Sequence, residues 1–300
     1  MKKEQNFDSL NLDDKIKMIE QIIVIHPQMQ AILDKMDYCR EHSKYALEAI
    51  GLLVTGEKGT GKTTIKDIYL NKNKSKQTRT ATYIPVLAIW IPVPATVKGL
   101  TTELLGALGD PFPEKGSVVV QTARVNKLVE KCRVTFCLFD EFQHFAERES
   151  FKLNRTVSDW TKNFMTSNKM PMVLFGTPKS TEILDGVENE QLRRRFPFRM
   201  ELRPFVWKTE EDQQIFRKFL QIVDEKLPLN EFSNLADPNI ALRIHYATKG
   251  LIFEVMRLIR AAAVLAVKRG FININMDLLS ESFIENVVTN SPFLENPFKS

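Results

Sequence analysis

Residues 50–64 read Ile-Gly-Leu-Leu-Val-Thr-Gly-Glu-Lys-Gly-Thr-Gly-Lys-Thr-Thr, an apolar run that passes through a glycine-rich loop into a polar segment. Residues 50–54 predict a buried strand, and residues 64–70, with Ile65, Ile68 and Tyr69 at helical spacing, predict a helix. Between them the sequence matches G-x-x-x-x-G-K-[ST] in full, in the strand–loop–helix context that gives this pattern its mechanism. Gly56, Gly59 and Gly61 let the backbone wrap around phosphate oxygens, and the amides at the helix N-terminus point at the anion. Lys62 reaches the β- and γ-phosphates, and the Thr63 hydroxyl ligates Mg²⁺. The expected nucleotide contacts are therefore Gly56, Glu57, Lys58, Gly59, Thr60, Gly61, Lys62, Thr63 and Thr64.

A chain of 300 residues with 43% hydrophobic content can bury a sizeable core, and two closely coupled domains are expected. No run approaches the length of a membrane span, and the start, Met-Lys-Lys-Glu-Gln-Asn, lacks the apolar core of a secretion signal. A soluble intracellular protein without membrane contact is expected. Cys39, Cys132 and Cys137 are odd in number and lack metal-ligand spacing, so they read as buried thiols in a reducing cytosol. A net charge of +5 and a pI near 9.0 permit binding to a polyanion without requiring it.

Outward from the loop, residues 1–49 predict two short amphipathic helices broken at His26-Pro27, with His26 as a packing or helix-end residue. Residues 71–79 read as a solvated connection, 83–93 as a strand, 101–108 as a helix, 109–116 as a loop and 118–131 as a helix. Residues 134–139 are an unbroken apolar strand that ends in Asp140-Glu141, the Walker B pattern. Asp140 is placed to hold Mg²⁺ through water and Glu141 to orient and deprotonate the attacking water. A helix over 158–168 leads to a third buried strand, 172–175, and Gln191-Leu192-Arg193-Arg194-Arg195-Phe196 precedes a further one over 198–202. From Trp207 onward only helices are predicted, with stripes at Ile215, Phe216, Phe219, Leu220 and Val223 and at Ile252, Val255, Met256, Ile259 and Ala263. The organisation read from this is an extension (1–49), an α/β core (50–204), a helical lid (205–290) and a tail (291–300) carrying Pro292-Phe293 and Pro297-Phe298. The tail reads either as a partner-docking peptide or as a clamp on the lid.

Five strands with intervening helices, the loop on the first, Asp-Glu on the third, a polar residue after the fourth and a helical lid resemble an AAA+ ATPase. Within that superfamily the chain resembles the TnsC/TniB transposition regulators. The matching features are the short His-Pro-containing extension, Asp140-Glu141-Phe142-Gln143-His144, Gly176-Thr177-Pro178, Arg194-Arg195-Phe196, and Ala247-Thr248-Lys249-Gly250 before a lid helix. The resemblance spans residues 20–290. It implies an AAA+ P-loop core with a five-stranded parallel sheet, flanking helices and a C-terminal helical lid, with ATP and Mg²⁺ as cofactors. It also implies an oligomer, ring or helical, that assembles on double-stranded DNA when ATP-bound, recruits a transposase, meets a TniQ-like target selector and disassembles on hydrolysis in the bacterial cytosol.

The resemblance assigns Thr177 as the sensor beside the γ-phosphate and Arg195 as the arginine finger given to a neighbouring subunit, with Arg193 and Arg194 as interface or solvated charges. A plain basic surface is the alternative for all three. Where many AAA+ proteins carry a lid arginine, this chain has Gly250-Leu251-Ile252-Phe253-Glu254, so either Arg257 substitutes or that sensor is missing. DNA phosphates are expected at Lys98, Lys115, Ser117 and Arg124, against the alternative of ordinary solvated loop residues. Two rival functions remain open: a helicase loader or initiator-type ATPase, and a nucleotide-switched scaffold that binds no DNA.

Overall fold

The computed structural model describes residues 3, 7–146, 151–186, 189–286 and 295–299. Two compact units divide the chain, one spanning Pro27–Leu202 and the other joining the segment up to His26 to everything from Arg203 on. The segment 1–49, read above as one extension, thus splits at its His-Pro pair: α1 (Leu12–Glu20) belongs to the second unit and α2 (Pro27–His42) to the first.

The first unit continues with β1 (Gly51–Thr55), α3 (Lys62–Lys72), β2 (Lys76–Gln77), β3 (Thr82–Tyr83), β4 (Val86–Trp90), α4 (Val97–Ala107) and α5 (Val118–Lys131). It then runs through β5 (Phe136–Asp140), a 3-10 turn (Phe142–Ala146), α6 (Phe151–Ser167), β6 (Met172–Gly176), α7 (Lys179–Asp185), α8 (Glu190–Arg193) and β7 (Phe198–Glu201). Strands β4-β5-β6-β1-β7 form one parallel sheet in that order. Every residue of β1, β5 and β6 is buried, as strands covered on both faces require, and this is why they read as unbroken apolar runs. The registers Thr55↔Gly176 and Trp90↔Asp140 bring the C-terminal ends of β1, β4, β5 and β6 to one edge.

Some local differences have plain causes. Helix α4 begins ahead of the expected residue 101 because the Thr96 side chain accepts from the Gly99 amide and caps it. The expected connection 71–79 contains β2, which pairs antiparallel with β3 in a small separate ribbon.

The second unit holds α9 (Glu210–Lys226), α10 (Pro238–Thr248), α11 (Ile252–Arg269) and α12 (Met276–Asn286). Thr209 and Asp212 form a reciprocal capping box at the start of α9. The core joins Phe216, Phe219 and Val223 of α9 and Leu258, Ile259 and Ala262 of α11 to Ile19 of α1 and to Ile22 and Val24 just after it. Gly250 adopts a φ of +69°, and a Cβ there would lie 2.0 Å from the Phe205 carbonyl. Of the tail, Pro292 and Phe293 lie outside the described residues. Phe298 is buried against Phe283 at 6.1 Å between ring centroids, and Arg243 donates to the Pro297 carbonyl, which is the clamp arrangement.

His26 is buried with its ring 5.0 Å from that of Phe205, and its Nδ1 has no hydrogen-bond partner. Burial pushes its imidazole down from 6.5 to about 4. The unfolded chain therefore takes up a proton that the folded chain refuses between these values. The stability this contributes is full above pH 6.5 and is lost as pH falls toward 4, up to roughly 3 kcal/mol. The melting temperature should drop through that window, and His26→Leu should flatten the drop; an unchanged slope places the acid sensitivity elsewhere.

Candidate nucleotide site

The loop between β1 and α3 is built for an anion. Gly59 and Gly61 have φ values of +84° and +103°, which side-chain-bearing residues adopt only under strain. Gly61 is the N-cap of α3 and supplies no side-chain cap, so the first-turn amides of the helix keep their donors for a ligand. The loop is tied to the sheet where the Gly56 amide donates to the Gly176 carbonyl at 3.1 Å. The Lys62 ammonium folds back onto the carbonyls of Gly56 and Glu57 at 2.7 and 2.8 Å. Burial lowers its pKa below the ordinary lysine value, while the carboxylates of Glu141, Asp140 and Glu57 act the other way. The acids of the β5 end therefore share one electrostatic environment with the loop lysine.

Asp140 is the last residue of β5 and is buried; its Oδ1 accepts from the Glu141 amide at 3.0 Å. Glu141 itself is exposed and holds a left-handed backbone, φ +62°, uncommon for a residue with a side chain. The reason lies in the next turn. Phe142 and Phe145 are fully buried with ring centroids 4.7 Å apart, and the chain reverses at Glu141 to seat them. Gln143 then bridges two expected site residues: its Nε2 donates to a Glu141 carboxylate oxygen, and its Oε1 accepts from the Thr177 amide at 3.0 Å. The Thr177 amide, just beyond the end of β6, is thus linked to the Glu141 carboxylate through the Gln143 side chain. Gln143 was quoted above only as part of a motif. A polar amide two residues beyond Glu141, in an otherwise aromatic turn, was the signal available.

The residues present fit a nucleoside triphosphate, whose phosphates the loop amides and Lys62 can hold. The Thr63 hydroxyl and Asp140 carboxylate are oxygen donors of the kind Mg²⁺ takes alongside phosphates. Among the described residues no cluster of three or more His, Cys, Asp or Glu side chains can hold a metal by itself, so these donors act with the ligand's own oxygens.

A family model described as bacterial TniB protein matches residues 15–207. The chain belongs to the TniB family. No curated protein matches its sequence. Among solved structures it resembles the Aeropyrum pernix ORC1 protein in complex with DNA, at 14% identity and a TM-score of 0.62 over 90% of this chain and 69% of that one. It also resembles Cdc6p from Pyrobaculum aerophilum (14%, 0.64, 90% and 70%). The Thermotoga maritima RuvB Holliday junction branch migration motor is a third (13%, 0.52, 86% and 68%). At these identities the likeness establishes the fold. By family the chain is a TniB protein, and its fold is that of the AAA+ ATPases.

Other expected positions of the TniB chain lie apart from this cluster. The Arg195 carbonyl accepts from the Gly51 amide at 2.6 Å, at the N-terminal end of β1, while the loop leaves the C-terminal end; a five-residue strand separates them by roughly 15 Å. Its side chain is 13% exposed, paired with Glu48 at 2.6 Å and donating to the Thr166 hydroxyl at 3.3 Å. Arg194 pairs with Glu190, and Arg193 is exposed. Arg257, in the second unit, pairs with Glu254 one turn earlier on α11.

The expected DNA contacts divide. Lys98 and Lys115 are exposed, the latter over the Phe112 ring. Ser117 caps α5 by accepting from the Val120 amide. Arg124 spends its donors on the Asp110 carboxylate and on the Lys115 and Phe112 carbonyls. In this structure it braces the 109–117 loop.

Proposed function

We propose that this TniB-family ATPase is an ATP-driven switch: ATP-bound, it assembles on duplex DNA and links a target-selector protein to a transposase, and hydrolysis takes the assembly apart. The observation that carries the reading is the pairing of a phosphate cradle with Asp140 and Glu141 at one end of the sheet and Arg195 at the other. Arg195 lies too far along β1 to reach its own chain's nucleotide. A neighbouring copy's nucleotide is the partner that position suits, which couples bound ATP to assembly.

Loop amides and Lys62 bind and orient the triphosphate, and Glu141, held by Gln143, takes the proton of the attacking water. Bound Mg²⁺ would neutralise charge on the phosphate oxygens, with Thr63 and Asp140 as its protein contacts. Thr177, just beyond the end of β6, is the proposed sensor of the terminal phosphate. Lys98 and Lys115 are the proposed phosphate contacts to DNA; they carry charge without reading base edges.

The likeness to ORC1 and Cdc6 keeps the initiator-type reading as the second choice. Electron microscopy with duplex DNA and a non-hydrolysable ATP analogue decides between them: rings or filaments threaded by DNA are expected. Binding should be indifferent to base sequence and should weaken steeply with salt, less so in a Lys98→Ala, Lys115→Ala double variant. Single particles that bind nucleotide but not DNA would leave the scaffold reading standing, and a strong preference for one DNA sequence would favour the initiator.

A further inference from the structure

Lys66 is the least expected charge near the site. It lies on α3 three residues beyond Thr63 and four beyond Lys62, which places the three on neighbouring turns of one face. Its ammonium reaches Asp140 Oδ2 at 2.6 Å, with 6% of the lysine side chain and 7% of the aspartate's exposed. Trp90, opposite Asp140 in the sheet register, roofs the contact, its ring centroid 5.0 Å from the ammonium. A buried ammonium is normally a cost, and here it is met by the carboxylate of Asp140, the proposed protein contact of a divalent cation.

We infer that Lys66 is a resident counter-charge for Asp140 that competes with the nucleotide's divalent cation and so sets how much Mg²⁺ this chain needs to hold ATP. The inference rests on the nucleotide reading of the β1–α3 loop. With no cluster of carboxylates among the described residues to share the load, the protein's ionic attraction for the cation comes chiefly from Asp140, with Glu141 beside it. Pairing Asp140 with an ammonium turns a carboxylate into a near-neutral pair as seen from the incoming ion, and at short range within a protein that difference is large. Lys66 does not touch the nucleotide; it is a positioning residue that acts through Asp140. Two roles follow from one contact: before ligand arrives it keeps a buried carboxylate from standing unpaired, and afterwards it weakens that carboxylate's hold on the cation.

The test is binding of a fluorescent ATP analogue titrated with MgCl2, on the full chain and two variants. Lys66→Gln keeps a hydrogen-bond donor for Asp140 but removes the charge, and its half-saturating Mg²⁺ should fall roughly tenfold, the size of a modest change in charge interaction. Lys66→Arg keeps the charge and grips the carboxylate with a two-pronged fork, so its half-point should rise a few-fold. Half-points that superimpose on the parent's, with melting temperatures alone displaced, would reduce Lys66 to a packing role and overturn the inference. Should Lys66→Gln not fold, the arginine variant decides: a raised half-point supports competition, and an unchanged one rejects it. A parent chain that binds no analogue at any Mg²⁺ concentration is a different result, and it removes the nucleotide reading itself.

Discussion

Glu141→Gln is expected to bind ATP as tightly as the parent chain and to turn it over at least about a hundredfold more slowly. The amide holds a water molecule where the carboxylate did but has no useful basicity with which to take its proton. The substitution is structurally mild for reasons visible in the fold. Glu141 is exposed, its left-handed backbone is fixed by the burial of Phe142 and Phe145, and a glutamine oxygen still accepts from the Gln143 amide. Melting temperature should therefore hardly move. Assemblies on DNA, if hydrolysis is what ends them, should persist longer. Phosphate release measured beside nucleotide binding makes the comparison, and equal turnover in the two proteins would assign the base to another group.

Binding and assembly should separate in a second pair of variants. Lys62→Ala removes the ammonium that rests on the Gly56 and Glu57 carbonyls, and ATP affinity should fall at least about a hundredfold, the loss of more than one charge-assisted contact to phosphate. Arg195→Ala should leave nucleotide affinity of the isolated chain within about twofold, because the side chain lies at the far end of β1. Sedimentation with ATP and DNA should nonetheless show no assembly. Since Arg195 also pairs with Glu48, Glu48→Ala is the necessary control. If the arginine serves only that pair, both variants share the defect; if it serves a neighbouring copy, Glu48→Ala still assembles. Normal assembly by Arg195→Ala would move the finger to another arginine or remove it.

Much of this was legible because the strands are buried on both faces and so announce themselves without any partner. The runs over 50–54, 134–139 and 172–175 need no tertiary information to be read as strands, and each carries its polar residue at the end where the sheet delivers it. Other features depend on what meets what. The two-residue strands of the small ribbon are too short to have a pattern. The backbone reversal at Glu141 is dictated by where two phenylalanines find their core. Nothing in the sequence sets Lys66 apart, and only the structure shows it buried on Asp140 beneath Trp90. Arg124, by the same logic, looked free until the loop it braces was seen.

The division of the chain at His26 sets an order in time. The stretch Pro27–Leu202 contains its whole sheet and can close as it leaves the ribosome, whereas Ile19, Ile22 and Val24 have their packing partners only beyond Arg203. At about 5–20 residues per second the stretch from 203 to the end of α11 at 269 takes roughly 3–13 s to make. Throughout that interval Ile19, Ile22 and Val24 lack those partners while the stretch Pro27–Leu202 is already complete. Slow codons or a pause ahead of α11 would lengthen that interval, so the yield of native protein should depend on the pace of translation over residues 203–269.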